Sequence, residues 1–133
     1  MMLSCGIYSC MDDIPGWTDL IALVGAVPVF ADATILDFSI SMAGNASIVL
    51  RTFAMPNGEY DYEQPLVVEL AMRELQCVEL DEFAPTAVVG ELKIERAGSD
   101  LVVSLEPAYG LRGTLRARQI TVQSWRGLLK DEG

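Results

Sequence analysis

Carboxylates are the side chains in this sequence with the clearest capacity for chemistry. Glu59, Asp61 and Glu63 form one group, and Glu79, Asp81 and Glu82 form a second. Paired carboxylates can run glycoside cleavage or proton transfer when two of them face one another across a cleft. Both groups here fall in stretches that read as loops, where solvated acids are the ordinary case. Histidine is absent. That excludes Ser-His-Asp and Cys-His nucleophilic machinery in their usual forms, and the histidine-dependent zinc sites. No Gly-rich phosphate loop follows a strand pattern. Gly44 and Gly58 sit in hairpin-like turns, where a positive φ is the common reason for glycine.

Three cysteines, Cys5, Cys10 and Cys77, do not make a disulfide framework. Cys5 and Cys10 lie near the N-terminus with no second ligand pair to complete a metal site. Cys77 sits in an apolar run and reads as a small buried hydrophobe. A reduced, cytoplasmic setting fits this usage, and neither metal nor cofactor is expected. Residues 1–16 lack the basic and apolar segments of a secretory signal. No apolar run approaches the roughly 18 residues that cross a bilayer.

The same acids make better sense as a contact surface. Glu59-Tyr60-Asp61-Tyr62-Glu63 alternates charge for steering with tyrosine for rigid contact area. Its plainer alternative is a solvated loop with one tyrosine folded back onto a sheet. Glu79, Asp81 and Glu82 extend the acidic character. Net charge is −10, distributed as −5 over residues 1–50, −6 over 51–82 and +1 over 83–133. A surface of this kind repels nucleic acid and anionic lipid and attracts basic partners. Arg112, Arg116, Arg118 and Arg126 are too few, on too acidic a chain, for a nucleic-acid site. Cross-strand pairs with Glu95 or Glu106 account for them better. Trp17 and Trp125 read as core or edge cover.

The elements that must position these groups follow from hydrophobic period. The chain has 133 residues, 51% of them apolar, enough for one domain with a proper core. Residues 1–16 read as an irregular lead. In WTDLIALV, Trp17, Leu20, Ile21 and Val24 share a helical face, and Gly25 and Pro28 end the helix. Thr34 to Met42 alternates, with Leu36, Phe38, Ile40 and Met42 on the buried side. Ala46 to Met55 is the returning strand. Pro56 to Pro65 reads as a loop. Leu66 to Leu80 is the longest apolar run and reads as the central strand, with a bulge near Arg73-Glu74 where the parity changes. A helix is its rival, because AMRELQCVEL holds good helix formers. The strand is preferred because Val67-Val68 leads in and no cap chemistry precedes it.

Glu79 to Pro85 reads as an acidic turn. Val88 to Arg96 is a strand with Val88, Leu92 and Ile94 inward. Ala97-Gly98-Ser99-Asp100 turns it into a partner with Leu101, Val103 and Leu105 inward. Thr114 to Trp125 is the last strand, its parity shifting around Arg118-Gln119, and residues 126–133 read as a frayed tail. The sum is an α+β, mainly β domain: about six strands in a curled antiparallel meander, with one short N-terminal helix.

In this order the chain resembles the immunity protein 50 family. A Trp-bearing helix leads into FADATILDFSI, VVELAMRELQCVELDEF sits in the middle, and LKIERAGSDLVVSLEPAYGLRGTLRARQITV closes the chain. The resemblance implies a small bacterial antitoxin that neutralises a polymorphic toxin, with no catalytic motif to carry over. The residues agree: an acidic, histidine-free domain suits an inhibitor that occludes the active site of a basic toxin. Two other readings stand beside it. One is a structural β-domain that forms a homodimer or larger homo-oligomer through an open sheet edge. The other is a small-molecule binder or hydrolase, which requires a deep pocket holding two close carboxylates.

Overall fold

The computed structural model describes residues 13–28, 30–81 and 87–127. One helix, α1 (Trp17–Val24), precedes six strands: β1 (Thr34–Ser41), β2 (Asn45–Ala54), β3 (Asp61–Asp81), β4 (Ala87–Ala97), β5 (Asp100–Tyr109) and β6 (Arg112–Arg126). The central run is a strand, so the α+β, mainly β expectation holds. The sheet closes on itself in the order β1-β2-β3-β6-β5-β4, antiparallel throughout. Strands β1 to β3 run as one meander and β4 to β6 as another. The two join along the β3–β6 ladder and, among the described residues, pair again only at Thr34↔Val88 and Ile35↔Ala87.

Two long strands make this closure possible. β3 has 21 residues and β6 has 15, so each serves both meanders. β3 pairs with β2 as far as Met72, Leu75 N–H still donates to Gly44 O of the β1–β2 turn at 3.0 Å, and from Arg73 to Asp81 the ladder partner is β6. Irregular backbone falls where the sequence parity changes. Glu74 has φ 56, and the ladder slips one residue between Leu75 and Cys77. On β6 the buried set passes from Leu115 and Ala117 to Ile120 and Val122. Bulges of this kind bend and twist a strand, which lets a flat ladder close.

The core is one cluster of buried side chains from α1 and from β2 to β6, against which the partly buried Ile35 and Phe38 of β1 pack. Trp17, Leu20 and Val24 of the helix are buried in this cluster, with α1 lying against β6 and, to a lesser extent, β2. The chain enters the helix along the free edge of β6, where Val122 N–H donates to Pro15 O at 2.8 Å. Gly16 has φ 89, and a Cβ there would lie 1.7 Å from Val122 O, so only glycine permits this approach. The helix ends at Gly25, whose N–H donates to Ile21 O at 2.9 Å, and Met55 N–H then donates to Val24 O at 2.7 Å. The helix is thus tied at both ends to strands on either side of β3.

Several expectations need correction. Asp61–Pro65 belongs to β3 rather than to a loop, and so do Glu79 and Asp81. Val89, not Val88, enters the core, because the β4–β5 ladder slips on both sides of Val89. Ile40 and Met42 are exposed rather than buried. Among the described residues β1 pairs with β4 only at Thr34 and Ile35, so the end of β1 that carries Ile40 has β2 alone as its ladder partner, and Met42 lies in the β1–β2 turn. Cys77 is exposed for a related reason: it lies on the half of β3 that has lost β2. Cys5 and Cys10 lie outside the described residues.

Candidate functional site

The acidic-aromatic stretch crosses from the β2–β3 connection into β3. Its frame is a register irregularity: Phe53 faces Pro65, whereas the next residue, Ala54, faces Asp61. Tyr62, Glu63 and Gln64 therefore bulge out of the ladder. Asp61 holds the bulge with both carboxylate oxygens. Its Oδ1 accepts Glu63 N–H at 3.0 Å, and its Oδ2 accepts Gln64 Nε2 at 2.7 Å. The Gln64 hydrogen bond, then that of Glu63, holds the Asp61 carboxyl below its ordinary pKa.

The two tyrosines take different roles. Tyr60 folds back, and its hydroxyl donates to Ala31 O at 2.6 Å. Burial raises its pKa above the usual tyrosine value; the Thr52 hydrogen bond opposes this, and Asp32 and Tyr62 add to it. Tyr62 turns outward with 68% of its surface exposed. Phe53 sits between them. Its ring lies 4.9 Å from Tyr62 at 72° and 6.2 Å from Tyr60 at 68°, both edge-to-face. Such packing fixes an exposed ring without burying it. Glu59 and Glu63 are exposed at the rim. Among the described residues, Glu59, Asp61 and Glu63 form no ion pair with a cation.

The eight sequence-designated residues do not form one patch. Glu59, Tyr60, Asp61, Tyr62 and Glu63 gather at the start of β3. Glu79 and Asp81 lie at its far end, a strand contour of about 60 Å away at 3.3 Å per residue. Asp81 stands opposite Arg112 in the ladder. Glu82 lies outside the described residues. Two residues join the first group unforeseen, Phe53 and Asp32. Phe53 was legible in principle, since a hairpin register places it beside the tyrosines of the returning strand. Asp32 reaches the site through the fold alone, held by its N–H to Val89 O at 2.7 Å.

Two of the C-terminal arginines pair with Asp100 rather than with Glu95 or Glu106. Arg116 Nε lies 2.7 Å from Asp100 Oδ2, and Arg118 Nε lies 3.7 Å from Asp100 Oδ1. Arg96 pairs with Asp13. Arg126 reaches the site only indirectly, through Gln64 Oε1 at 3.3 Å. The negative charge at the start of β3 is therefore left for solvent or a partner.

Carboxylates also line surface grooves. One lies between α1 and β6, lined by Asp19, Glu69, Gln123 and Trp125 among others. It is an open surface groove, and Glu69 already accepts the Ser47 hydroxyl at 2.8 Å. The described residues contain no cluster of three metal-ligating side chains, and no helix among them is long and apolar enough to cross a membrane. No family model, curated protein or solved structure matches this chain.

Proposed function

We propose that this chain is a non-catalytic protein-binding module, an antitoxin of the immunity protein 50 kind that neutralises a basic bacterial toxin in the cytoplasm by covering its active site. One observation carries the reading: Tyr62 stands 68% exposed on a fixed aromatic cluster, ringed by carboxylates that have no cationic partner among the described residues. Exposed tyrosines held rigid lose little entropy when buried by a partner, and unpaired acids beside them raise the rate of encounter with a basic surface. Tyr62 fills the centre of the contact, and Glu59 and Glu63 meet cations at the toxin's substrate site. Asp61 holds the bulge and shapes the surface rather than touching the partner.

The test is growth protection. The chain is co-expressed with the toxin encoded by the neighbouring gene. Wild type is expected to restore growth, and Y62A combined with E59A and E63A is expected to lose that protection while remaining folded. Full protection by the triple variant would remove the start of β3 from the proposal. A wild-type chain that gives no protection would remove the antitoxin reading itself.

A further inference from the structure

The outward face of β3 is ordered by charge around a neutral centre. Glu69, Ala71 and Arg73 alternate with the core residues Leu70 and Met72, so all three point outward. The ladder registers extend each of them into a row across neighbouring strands. Ala71 stands between Ser47 of β2 and Thr121 of β6, Glu69 lies beside Gln123, and Arg73 lies beside Gln119. The middle row is short and uncharged, with an acid on one side of it and a base on the other. Glu69 is held on this face by the Ser47 hydroxyl, which donates to its Oε2 at 2.8 Å. Arg73 is exposed and forms no ion pair among the described residues. Ser47, Ala71 and Arg73 share one shallow depression of the surface.

This arrangement is its own complement. A two-fold axis laid along the middle row turns the face over onto itself and exchanges its acidic and basic sides. Ala71 of one copy then meets Ala71 of the other, Arg73 meets Glu69 twice, and Gln119 meets Gln123, amide to amide. A contact between identical patches requires self-complementarity of this kind. Charge favours a second copy here and disfavours it elsewhere, because a chain of net charge −10 repels its copy through most of its surface. The short side chains of the middle row let the two backbones approach. We infer that this face is a dimer interface, on which a second copy of the chain packs through two reciprocal Arg73–Glu69 pairs. The patch is small, so the dimer is a weak one. The site is separate from the Tyr62 surface and does not depend on the antitoxin reading.

Sedimentation equilibrium on the full chain tests this with two charge reversals. Wild type is expected to pass from monomer to dimer between about 1 μM and 1 mM. R73E and E69R each set like charges across the axis, and each alone is expected to weaken self-association by about tenfold or more. E69R also makes the chain less negative, which by overall repulsion alone would strengthen association, so its weakening isolates the local pair. An equimolar mixture of the two variants restores both pairs and is expected to form a one-to-one heterodimer. A dimer held by another surface would show no such rescue. R73Q removes the attraction without adding repulsion; it is expected to weaken association several-fold, and it carries the test if a reversal fails to fold. Three results overturn the inference. The first is a wild type that stays monomeric at about 1 mM. The second is a dimer that R73E and R73Q leave intact. The third is folded reversals that dissociate alone and do not associate when mixed.

Discussion

Tyr60 and Tyr62 are two residues apart and do opposite things. Tyr60 anchors, with its hydroxyl on Ala31 O. Because burial raises its pKa, the folded chain holds the Tyr60 proton more tightly than the unfolded chain does. The stabilisation is complete below the unfolded tyrosine pKa of about 10 and is lost as pH rises through the higher folded value. Thermal unfolding across the alkaline range is expected to show a decline for wild type that Y60F lacks. Asp61 acts in the acid range with the opposite sign. Its lowered pKa contributes stability above the ordinary carboxylate value, lost as pH falls through the folded one. Glycine roles separate by what a Cβ would meet. G16A and G113A would place a methyl 1.7 Å and 1.9 Å from backbone oxygens, and each is expected to cost at least about 2 kcal/mol in denaturant unfolding. G58A meets nothing within 4 Å and is expected to cost only about 1 kcal/mol, from its positive φ. The turn role of Gly58 was visible in the sequence. The close approaches at Gly16 and Gly113 were not, because they depend on strands distant in the chain.

At the scale of elements, the helix was legible in full. Its apolar spacing and Gly25 stop are local signals, and α1 spans Trp17–Val24 as the pattern requires. Leu20 is fully buried at its centre, so L20A is expected to destabilise by about 2–5 kcal/mol in urea unfolding. The strands were legible wherever one face is buried, because period two then survives. They were less legible where pairing is lost. Ile40 and Cys77 look like core residues by composition, but each lies where a neighbouring strand has ended, and Met42 sits in the β1–β2 turn. Asp61–Pro65 looks like a loop by composition, yet the β2 ladder holds both of its ends. The strand order was not legible either. β3 pairs with β6 rather than with β4, its successor in the chain, and the pairing joins residues as distant as Leu66 and Arg126, which no local pattern reports.

The whole molecule separates its charges. Its basic groups are concentrated in the last third of the chain, and Arg116 and Arg118 are taken up by Asp100. The acids at the start of β3 are left beside three packed aromatic rings. Under the proposed function, association with the basic toxin is expected to slow as salt is added, by about tenfold or more in on-rate between low and physiological ionic strength, in stopped-flow measurements. E59A with E63A is expected to reduce that salt dependence, whereas Y62A is expected to act on the off-rate. The two acidic groups of β3 can be told apart in the same way, since E79Q at the far end leaves the Tyr62 surface intact. The most direct measurement is the toxin affinity of wild type, Y62A and E79Q by titration calorimetry. The account predicts that Y62A weakens binding by about 30-fold or more, as for a central aromatic contact, while E79Q changes little. Unchanged affinity for Y62A, or a larger loss for E79Q, would contradict it.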